Sequence, residues 1–354
     1  MEHMDVNPLG LDGFEFAEFT SPDPDTLARQ FEALGFVAAF THPTKAVTRY
    51  KQGRITLLLN REEVGHAARF RAAHGPSASA MAFRVQDART AYDAAIARGA
   101  KPGAADGALD GVPVLEGIGG SLLYLVDRHG ANGSLYDSWT PVPRATEAEA
   151  ANNVGLDLLD HLTHNVRRGE MRTWSAFYAQ IFGFEEQKYF DIKGKATGLF
   201  SQAMIAPDRA IRIPLNESQD DKSQIEEFIR DYNGEGIQHL ALTTDDIFAT
   251  VEKLRERGVR LQDTIETYYE LVDKRVPGHG HDLERLRKNR ILIDGDVGDQ
   301  GLLLQIFTEP MVGPIFFEII QRKGNEGFGN GNFQALYESI ELDQIRRGVI
   351  TVDA

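Results

Sequence analysis

Two histidines stand inside apolar strand patterns, where an unpaired polar side chain is costly to bury. His239 lies in the segment IQHLALT (237–243), and His161 lies in LDHLT (159–163). Side chains alternate between the two faces of a strand, so His164, three residues after His161, faces the opposite side. The pattern therefore predicts that His161 and His239 point into one interior and that His164 does not.

A glutamate interrupts a third apolar strand. Glu318 lies in GPIFFEIIQ (313–321), and a buried carboxylate needs a cation because an isolated charge is expensive to remove from water. The chain has no cysteine, so any metal must bind histidine and carboxylate. Two histidines and one carboxylate are the facial donor set that holds non-haem Fe(II) and leaves coordination positions open. Each residue alone is more often a satisfied core residue, but the three together predict an iron site.

Internal repeats indicate the elements that position these residues. Segments 81–99 and 240–258 both read as a strand, an aspartate cap, an amphipathic helix and an Arg-Gly stop. Two further pairs match in the same order along the chain, namely 10–36 with 155–184 and 124–130 with 318–324. Three matches in one order predict a duplicated architecture.

The repeats predict an α+β fold made of duplicated βαβββ modules. Four modules, two in each half, would form two open β-barrels with outer helices. We expect an N-terminal barrel in residues 1–150 and a C-terminal barrel in 151–354, joined through the polar stretch 141–153. The second half also carries residues 282–289 and a final helix over 332–346, which have no counterpart in the first half.

The first half offers an internal comparison for the metal site. Aligned by the repeats, Glu18, Ala80 and Tyr124 are expected at the positions of His161, His239 and Glu318. That set cannot hold a divalent metal. We therefore expect the first half to be a non-catalytic support for the second.

Composition excludes several other classes of function. A chain of 354 residues has room for about two domains, and its net charge of −15 repels nucleic acid and anionic membrane surfaces. It contains no apolar run of membrane-spanning length, and its first residues lack the pattern of a signal peptide. We expect a cytoplasmic protein that assembles with copies of itself.

Long ordered motifs in the second half resemble the 4-hydroxyphenylpyruvate dioxygenase family, in its bacterial form, of the vicinal oxygen chelate superfamily. The resemblance is nearly continuous from about residue 155 to the C-terminus and weaker before it. The motifs are DHLTHNV (160–166), YFDIKG (189–194), RIPLNE (212–217), GEGIQHLA (234–241), LLQIF (303–307), FFEIIQRKG (316–324) and GFGNGNFQALYESI (327–340).

The resemblance implies a reaction and a substrate pocket. His161, His239 and Glu318 would be the Fe(II) ligands, and the enzyme would convert 4-hydroxyphenylpyruvate and O₂ to homogentisate and CO₂ in tyrosine and phenylalanine catabolism. The reaction combines oxidative decarboxylation, ring hydroxylation and side-chain migration. The residues expected to contact the substrate are Ser201, Pro214, Asn216, Gln224, Gln305, Phe316, Phe328 and Phe333.

Two other functions within the superfamily remain open at this point. One is 4-hydroxymandelate synthase, which uses the same substrate and iron but hydroxylates the benzylic carbon; Phe333 and Asn216 argue against it. The other is a non-catalytic ligand carrier built on the same modules.

The glycines around Phe328 also predict that the final helix is a lid that closes over the substrate ring.

Overall fold

The structure is a computed structural model, and it describes residues 7–194 and 196–350. The first half contains strands β1 Leu11–Thr20, β2 Val37–Thr41, β3 Val47–Gln52, β4 Ile55–Asn60, β5 Ser77–Val85, β6 Val114–Glu116, β7 Leu122–Val126 and β8 Thr140–Pro141. Its helices are α1 Pro24–Ala33, α2 Gly65–His74 and α3 Ala88–Ala97, and α4 Ala145–Asn152 leads into the second half.

The second half repeats this order and adds helices. Its strands are β9 Leu156–Val166, β10 Glu185–Lys193, β11 Gly198–Ile205, β12 Arg212–Ser218, β13 Gly236–Thr244, β14 Leu292–Asp296, β15 Gly301–Phe307 and β16 Phe316–Lys323. Its helices are α5 Met171–Phe182, α6 Gln224–Asp231, α7 Ile247–Glu256, α8 Glu266–Glu270, α9 Val272–Arg275, α10 Leu283–Asn289 and α11 Asn330–Arg346. The duplicated α+β architecture predicted from the repeats is confirmed.

Local sequence explains how the repeated helices begin. Helices α1, α3 and α7 each start after an aspartate whose carboxylate accepts a hydrogen bond from the backbone N–H three residues later, at Asp23, Asp87 and Asp246. Such a cap satisfies one of the free N–H groups of the first turn. The same signal therefore starts the helix that follows β1, β5 and β13.

Each half forms one eight-stranded sheet. The strand order is β6-β7-β5-β1-β4-β3-β2-β8 in the first sheet and β10-β11-β12-β9-β13-β16-β15-β14 in the second. The first strands of the two modules pair antiparallel at the centre of each sheet, β1 with β5 and β9 with β13. The predicted ligand strands β9, β13 and β16 are thus neighbours.

The strand registers of the two halves correspond residue by residue, and they correct one expectation. His161 pairs with Ala241, which pairs with Glu318; Phe16 pairs with Ala82, which pairs with Tyr124. The counterpart of His161 is therefore Phe16 and not Glu18, which corresponds instead to Thr163.

The two central pairings share an irregularity, which therefore leaves their correspondence unchanged. The register shifts between Glu18 and Phe19 in the first sheet, and between Ile237 and His239 of β13 in the second. A bulge inserts one extra residue and re-aims the side chains beyond it. Because both halves carry this bulge, the offset between GLD at 10–12 and GLD at 155–157 continues along the strands and places Phe16 at the position of His161, two residues before Glu18.

The two halves share one hydrophobic core. Phe19 of the first half contacts Phe317 of the second with ring centroids 6.2 Å apart, and Phe83 contacts Phe182 at 5.5 Å. Phe317 is the neighbour of Glu318 on β16 and faces the other way. The first half therefore packs directly against the strand that carries the predicted carboxylate ligand.

The two sheets are closed in different ways. Helix α11 lies against both edge strands of the second sheet, β10 and β14. In the first half, buried Leu109, Leu135, Tyr136 and Trp139 come from loops and from the approach to β8, and they pack inside the sheet. Among the described residues, no helix is long and apolar enough to cross a membrane.

Candidate metal centre

Three adjacent strands bring the predicted ligands to one point. The paired positions on β9, β13 and β16 place His161 and Glu318 on either side of Ala241, and His239 lies two residues before Ala241 on the same face. His161, His239 and Glu318 are 2%, 5% and 2% exposed, respectively. The strand pattern alone therefore assembles a buried group of two imidazoles and one carboxylate.

The ligand atoms converge on a single carboxylate oxygen. Glu318 Oε2 lies 3.2 Å from His161 Nε2 and 3.4 Å from His239 Nε2. One potential ligand atom from each residue lies within 4.8 Å of the others. Within residues 7–194 and 196–350 this is the one group of three such side chains close enough to share an ion.

This arrangement fits a six-coordinate divalent metal. Two neighbouring ligands of an octahedral ion with bonds of about 2.1 Å are about 3 Å apart, close to the nitrogen–oxygen separations here. Two imidazole nitrogens and one carboxylate oxygen match the donor set of non-haem Fe(II) sites. Three protein ligands would leave three coordination positions open.

The residue before each histidine orients its ring. His161 Nδ1 lies 2.8 Å from Asp160 Oδ2, and His239 Nδ1 lies 2.8 Å from Gln238 Oε1. Both acceptors hold a proton on Nδ1, which leaves Nε2 as the nitrogen that would bind a metal beside Glu318. The Thr163 hydroxyl lies 3.0 Å from His239 Nε2 and is the other polar group at that nitrogen.

Burial and pairing together set the charges of the site. Burial alone would raise the pKa of Glu318, but the positive charge of His161 and hydrogen bonds with both histidines lower it to about 2. Burial alone would lower the pKa of His161, yet Glu318 and Asp160 raise it. Burial lowers the pKa of His239. The carboxylate is therefore ionised, and the site attracts positive charge.

His164 lies on the opposite face of β9, as the strand period predicts. Its Nε2 lies 2.6 Å from the hydroxyl of Tyr178 on α5. Burial lowers the pKa of His164 to about 3, so the ring is neutral in the core. His164 is a core histidine paired with a tyrosine.

A cavity of about 30 Å³ adjoins the three predicted ligands. That volume corresponds to about one water molecule, whereas pockets that hold small ligands measure several hundred Å³. The lining beyond the ligands is Thr163, Phe190, Ser201, Ala203, Pro214, Asn216, Gln305, Phe307, Phe328 and Phe333. Phe328 lies in the segment that leads into α11 and Phe333 lies in the helix itself, so movement of this region would widen the cavity.

Six of the eight residues predicted to contact the substrate line this cavity: Ser201, Pro214, Asn216, Gln305, Phe328 and Phe333. The other two, Gln224 and Phe316, line a neighbouring pocket of about 700 Å³. Phe316 also stacks on His239, with ring centroids 4.7 Å apart. Substrate contact by Gln224 and Phe316 stays a prediction.

Four lining residues were outside the predicted set, and strand geometry could have found them. Thr163, Ala203 and Phe307 each lie two residues beyond a predicted residue on the same strand, and therefore share its face. Phe190 pairs directly with Ser201 across β10 and β11. The period of two identifies the first three from sequence; the fourth requires the register.

The side-chain amides of Gln305 and Asn216, which line the cavity, differ in how many of their hydrogen bonds are formed. Gln305 Nε2 donates to Glu318 Oε1 at 2.7 Å, and Gln305 Oε1 accepts from Asn332 of α11 at 2.8 Å. Asn216 Oδ1 is buried and has no hydrogen-bond partner in the described part of the chain. Gln305 thus supports the carboxylate, and Asn216 offers an acceptor to a ligand.

Comparison with known proteins gives matches along most of the chain. Residues 6–139 match the family described as hydroxyphenylpyruvate dioxygenase, N-terminal, and residues 158–271 match the glyoxalase, bleomycin resistance protein and dioxygenase superfamily. A 4-hydroxyphenylpyruvate dioxygenase of Pseudomonas aeruginosa is 58% identical over 97% of both chains. One from Legionella pneumophila is 50% identical over 97% of this chain and 98% of its own.

A solved structure with the same fold is a substituted form of 4-hydroxymandelate synthase from Streptomyces coelicolor. It is 28% identical, with a TM-score of 0.80, over 95% of this chain and 99% of its own. The sequence identity to this synthase is about half that to the Pseudomonas aeruginosa dioxygenase.

Proposed function

The chain belongs to the 4-hydroxyphenylpyruvate dioxygenase family, and we propose that His161, His239 and Glu318 hold the Fe(II) with which it converts 4-hydroxyphenylpyruvate and O₂ to homogentisate and CO₂. The observation that supports this assignment most is the ionised, buried Glu318 carboxylate between two histidine Nε2 atoms. When bound, the iron would activate O₂ and act as a Lewis acid toward the 2-oxo acid group of the substrate.

The protein residues bind and orient the rest of the substrate. We propose that Asn216 Oδ1 accepts a hydrogen bond from a polar group of the substrate, and that the Ser201 hydroxyl lies within the same wall. Phe328 and Phe333 provide apolar surface for the phenol ring, and Pro214 extends that wall. These side chains place the ring beside the metal ligands, which is where regiochemistry is decided.

Helix α11 would exclude water during the reaction. The cavity of about 30 Å³ is too small for the substrate, and two of its walls belong to α11 and the segment before it. We propose that this segment opens to admit the substrate and closes again before O₂ reacts. Closure keeps water from reactive intermediates and orders the ring.

We also propose that residues 1–150 support residues 151–354, which carry the catalytic site, and that the chain assembles with copies of itself in the cytoplasm. The shared aromatic core supports the first part. Half-exposed Tyr189, stacked on Phe200, offers an apolar surface on β10 that self-assembly would cover. Light scattering on the purified protein gives the number of copies.

Oxygen uptake and product analysis test the reaction. Protein loaded anaerobically with Fe(II) and mixed with 4-hydroxyphenylpyruvate and O₂ is expected to consume oxygen and to release homogentisate, identified by chromatography. Release of 4-hydroxymandelate instead would assign the chain to the synthase. A protein that binds the substrate and consumes no oxygen would be a ligand carrier.

A further inference from the structure

Asp160 stands at the centre of a buried ionic network behind the metal site. Its side chain is 4% exposed. Oδ2 is 2.8 Å from His161 Nδ1 and 2.8 Å from Arg322 Nη2, and Oδ1 is 2.8 Å from Arg322 Nε. The guanidinium of Arg322 therefore donates hydrogen bonds to both carboxylate oxygens. One of these oxygens, Oδ2, also accepts a hydrogen bond from His161 Nδ1.

Two arginines connect this carboxylate to the segment before α11. Arg322 Nη1 donates to the backbone carbonyls of Asn325 at 3.0 Å and Gly327 at 2.6 Å. Arg212 Nη1 lies 3.7 Å from Asp160 Oδ1, and its Nη2 lies 2.5 Å from Glu326 Oε2. Residues 325–327 are thus held by two cations that both face one carboxylate.

The segment held in this way carries a wall of the substrate cavity. Phe328 follows Gly327 directly, and its ring centroid lies 5.3 Å from that of His161. The guanidinium of Arg322 lies 5.9 Å from the Phe328 ring. Asp160 therefore positions His161 directly, and it positions Phe328 through the bonds of Arg322 to the segment before that residue.

We propose that Asp160 is a positioning residue for His161 and that, through Arg322, it couples metal affinity to the placement of Phe328. The inference rests on the proposed iron site. A carboxylate behind a metal-binding histidine fixes the ring and raises its basicity, and loss of such a partner commonly weakens metal binding about 10- to 100-fold. One planar guanidinium, that of Arg322, bonds both the Asp160 carboxylate and the backbone carbonyls of Asn325 and Gly327. Loss of its bonds to Asp160 therefore weakens the positioning of residues 325–327.

The two histidines differ in this respect. His239 has the neutral amide of Gln238 as its Nδ1 partner, whereas His161 has a carboxylate. The first half preserves a buried carboxylate at the matching position, since Glu15 precedes Phe16 and lies 2.5 Å from Arg84 Nε. Glu15 therefore provides a matched control, a buried carboxylate–arginine pair beside a residue that binds no metal.

The test measures two properties of four proteins: wild type, Asp160→Asn, Arg322→Lys and Glu15→Gln. The Fe(II) dissociation constant is measured anaerobically by competition with a chelator, and amide hydrogen exchange is followed over residues 325–329. Asp160→Asn is expected to raise the constant about 10- to 100-fold and to speed exchange. Arg322→Lys keeps the positive charge but loses the paired hydrogen bonds to Asp160. A smaller change is therefore expected in the dissociation constant and in the exchange rate. Glu15→Gln is expected to change neither.

The outcomes separate this inference from the proposed function. A wild-type protein that binds no Fe(II) would overturn the iron site itself. Wild-type affinity in Asp160→Asn would overturn the positioning of His161, and unchanged exchange over 325–329 would overturn the link to Phe328. If Asp160→Asn shows no cooperative thermal unfolding, the same two measurements on Arg322→Lys decide, and wild-type values there would overturn the inference.

Discussion

The two halves place their side chains in the same register and fill the positions of the metal site with opposite chemistry. In the second half these positions hold His161, His239 and Glu318; in the first, the counterparts of His161 and Glu318 are Phe16 and Tyr124, whose rings lie 5.7 Å apart. One sheet interior is an ionised polar site, and the other is an aromatic contact. The backbone alone therefore does not determine which half can hold a metal.

The comparison also shows what both halves keep. Asp160 and Glu15 are buried carboxylates at matching positions, and each is paired with an arginine. Those arginines, Arg322 and Arg84, come from different strands, β16 and β5. The carboxylate position is thus common to both halves, while its link to the cavity wall exists only where β16 supplies the arginine.

Removing a predicted ligand is expected to produce the largest difference between the halves. His161→Ala is expected to lose bound Fe(II) and to lower kcat/KM roughly 10³-fold or more, because a metal contributes several kcal/mol to the transition state. Tyr124→Phe, at the counterpart of Glu318, is expected to keep one iron per chain. Elemental analysis and oxygen uptake measure both.

A second comparison checks the facing of β9. His164→Ala is expected to lower stability and to keep the iron, because His164 bonds Tyr178 on the other side of the strand. Retention of iron in His161→Ala together with loss of iron in His164→Ala would contradict the predicted ligand set.

The next effect concerns Glu18, a buried carboxylate of the first half with a hydrogen-bonded Oε1 and, among the described residues, no partner for Oε2. Burial raises the pKa of Glu18 to about 7, although hydrogen bonds from Ser79 and Asn60 oppose the rise. Its ordinary pKa is 4.5, so the folded state binds a proton more tightly than the unfolded state between these values. The free energy of unfolding therefore falls as pH rises from about 4.5 to 7, by up to about 3 kcal/mol.

Glu18→Gln removes this titration. We expect the variant to be more stable than wild type at pH 8, by up to about 3 kcal/mol, and the difference to shrink as the pH approaches 4.5. Urea unfolding at the two pH values measures it. Glu15→Gln is the control, because that carboxylate is paired with Arg84 and its loss is expected to destabilise at pH 8. A Glu18→Gln protein less stable than wild type at pH 8 would refute the prediction.

Helix α11, which lies against the second sheet, and residues 134–139, which pack inside the first, are expected to differ in mobility. Helix α11 should exchange its amide hydrogens faster than residues 134–139, which pack inside the first sheet. Anaerobic addition of 4-hydroxyphenylpyruvate with Fe(II) is expected to slow exchange in α11 roughly tenfold and to leave 134–139 unchanged. Hydrogen exchange with mass spectrometry checks both regions. Equal exchange in both, with no response to substrate, would make α11 a fixed element.

The smallest effect is expected from Phe333, which lines the cavity from α11. Phe333→Ile should keep iron and oxygen uptake but divert part of the product from homogentisate to the benzylic alcohol, since a smaller side chain lets the ring move. A contact change of this size corresponds to about 1 kcal/mol in product partition. Chromatography gives the ratio, and an unchanged ratio would remove Phe333 from the control of regiochemistry.

The metal donor set could be predicted from sequence because it depends on side-chain alternation and on the cost of a buried charge. His161, His239, Glu318 and the opposite facing of His164 all follow from those two rules. The counterpart of His161 also follows from sequence, because both central strand pairs carry the same bulge and the offset between the halves stays constant across it. The match of GLD at 10–12 with GLD at 155–157 gives the correct offset to Phe16.

The lining of the cavity was predicted less completely. Gln224 opens α6, and Phe316 stacks on His239, so their placement beside a second pocket depends on how α6 and β16 pack. The volume of the closed cavity is likewise set by the docking of α11, a tertiary contact with no periodic signal. The Asp160 network joins β9, β12 and β16, and no sequence spacing reveals it.

The position of β16 has a consequence for the order of events during synthesis. Residues Phe316–Lys323 come well after Gly236–Thr244 in the chain, yet β16 pairs directly with β13 in the sheet. His161 and His239 leave the ribosome long before Glu318, at a rate of about 5–20 residues per second. Until β16 docks against β13 and Phe19, the two histidines lack their carboxylate, and a metal met at that stage would find two ligands instead of three. A site with all three side chains therefore forms only after β16 has docked.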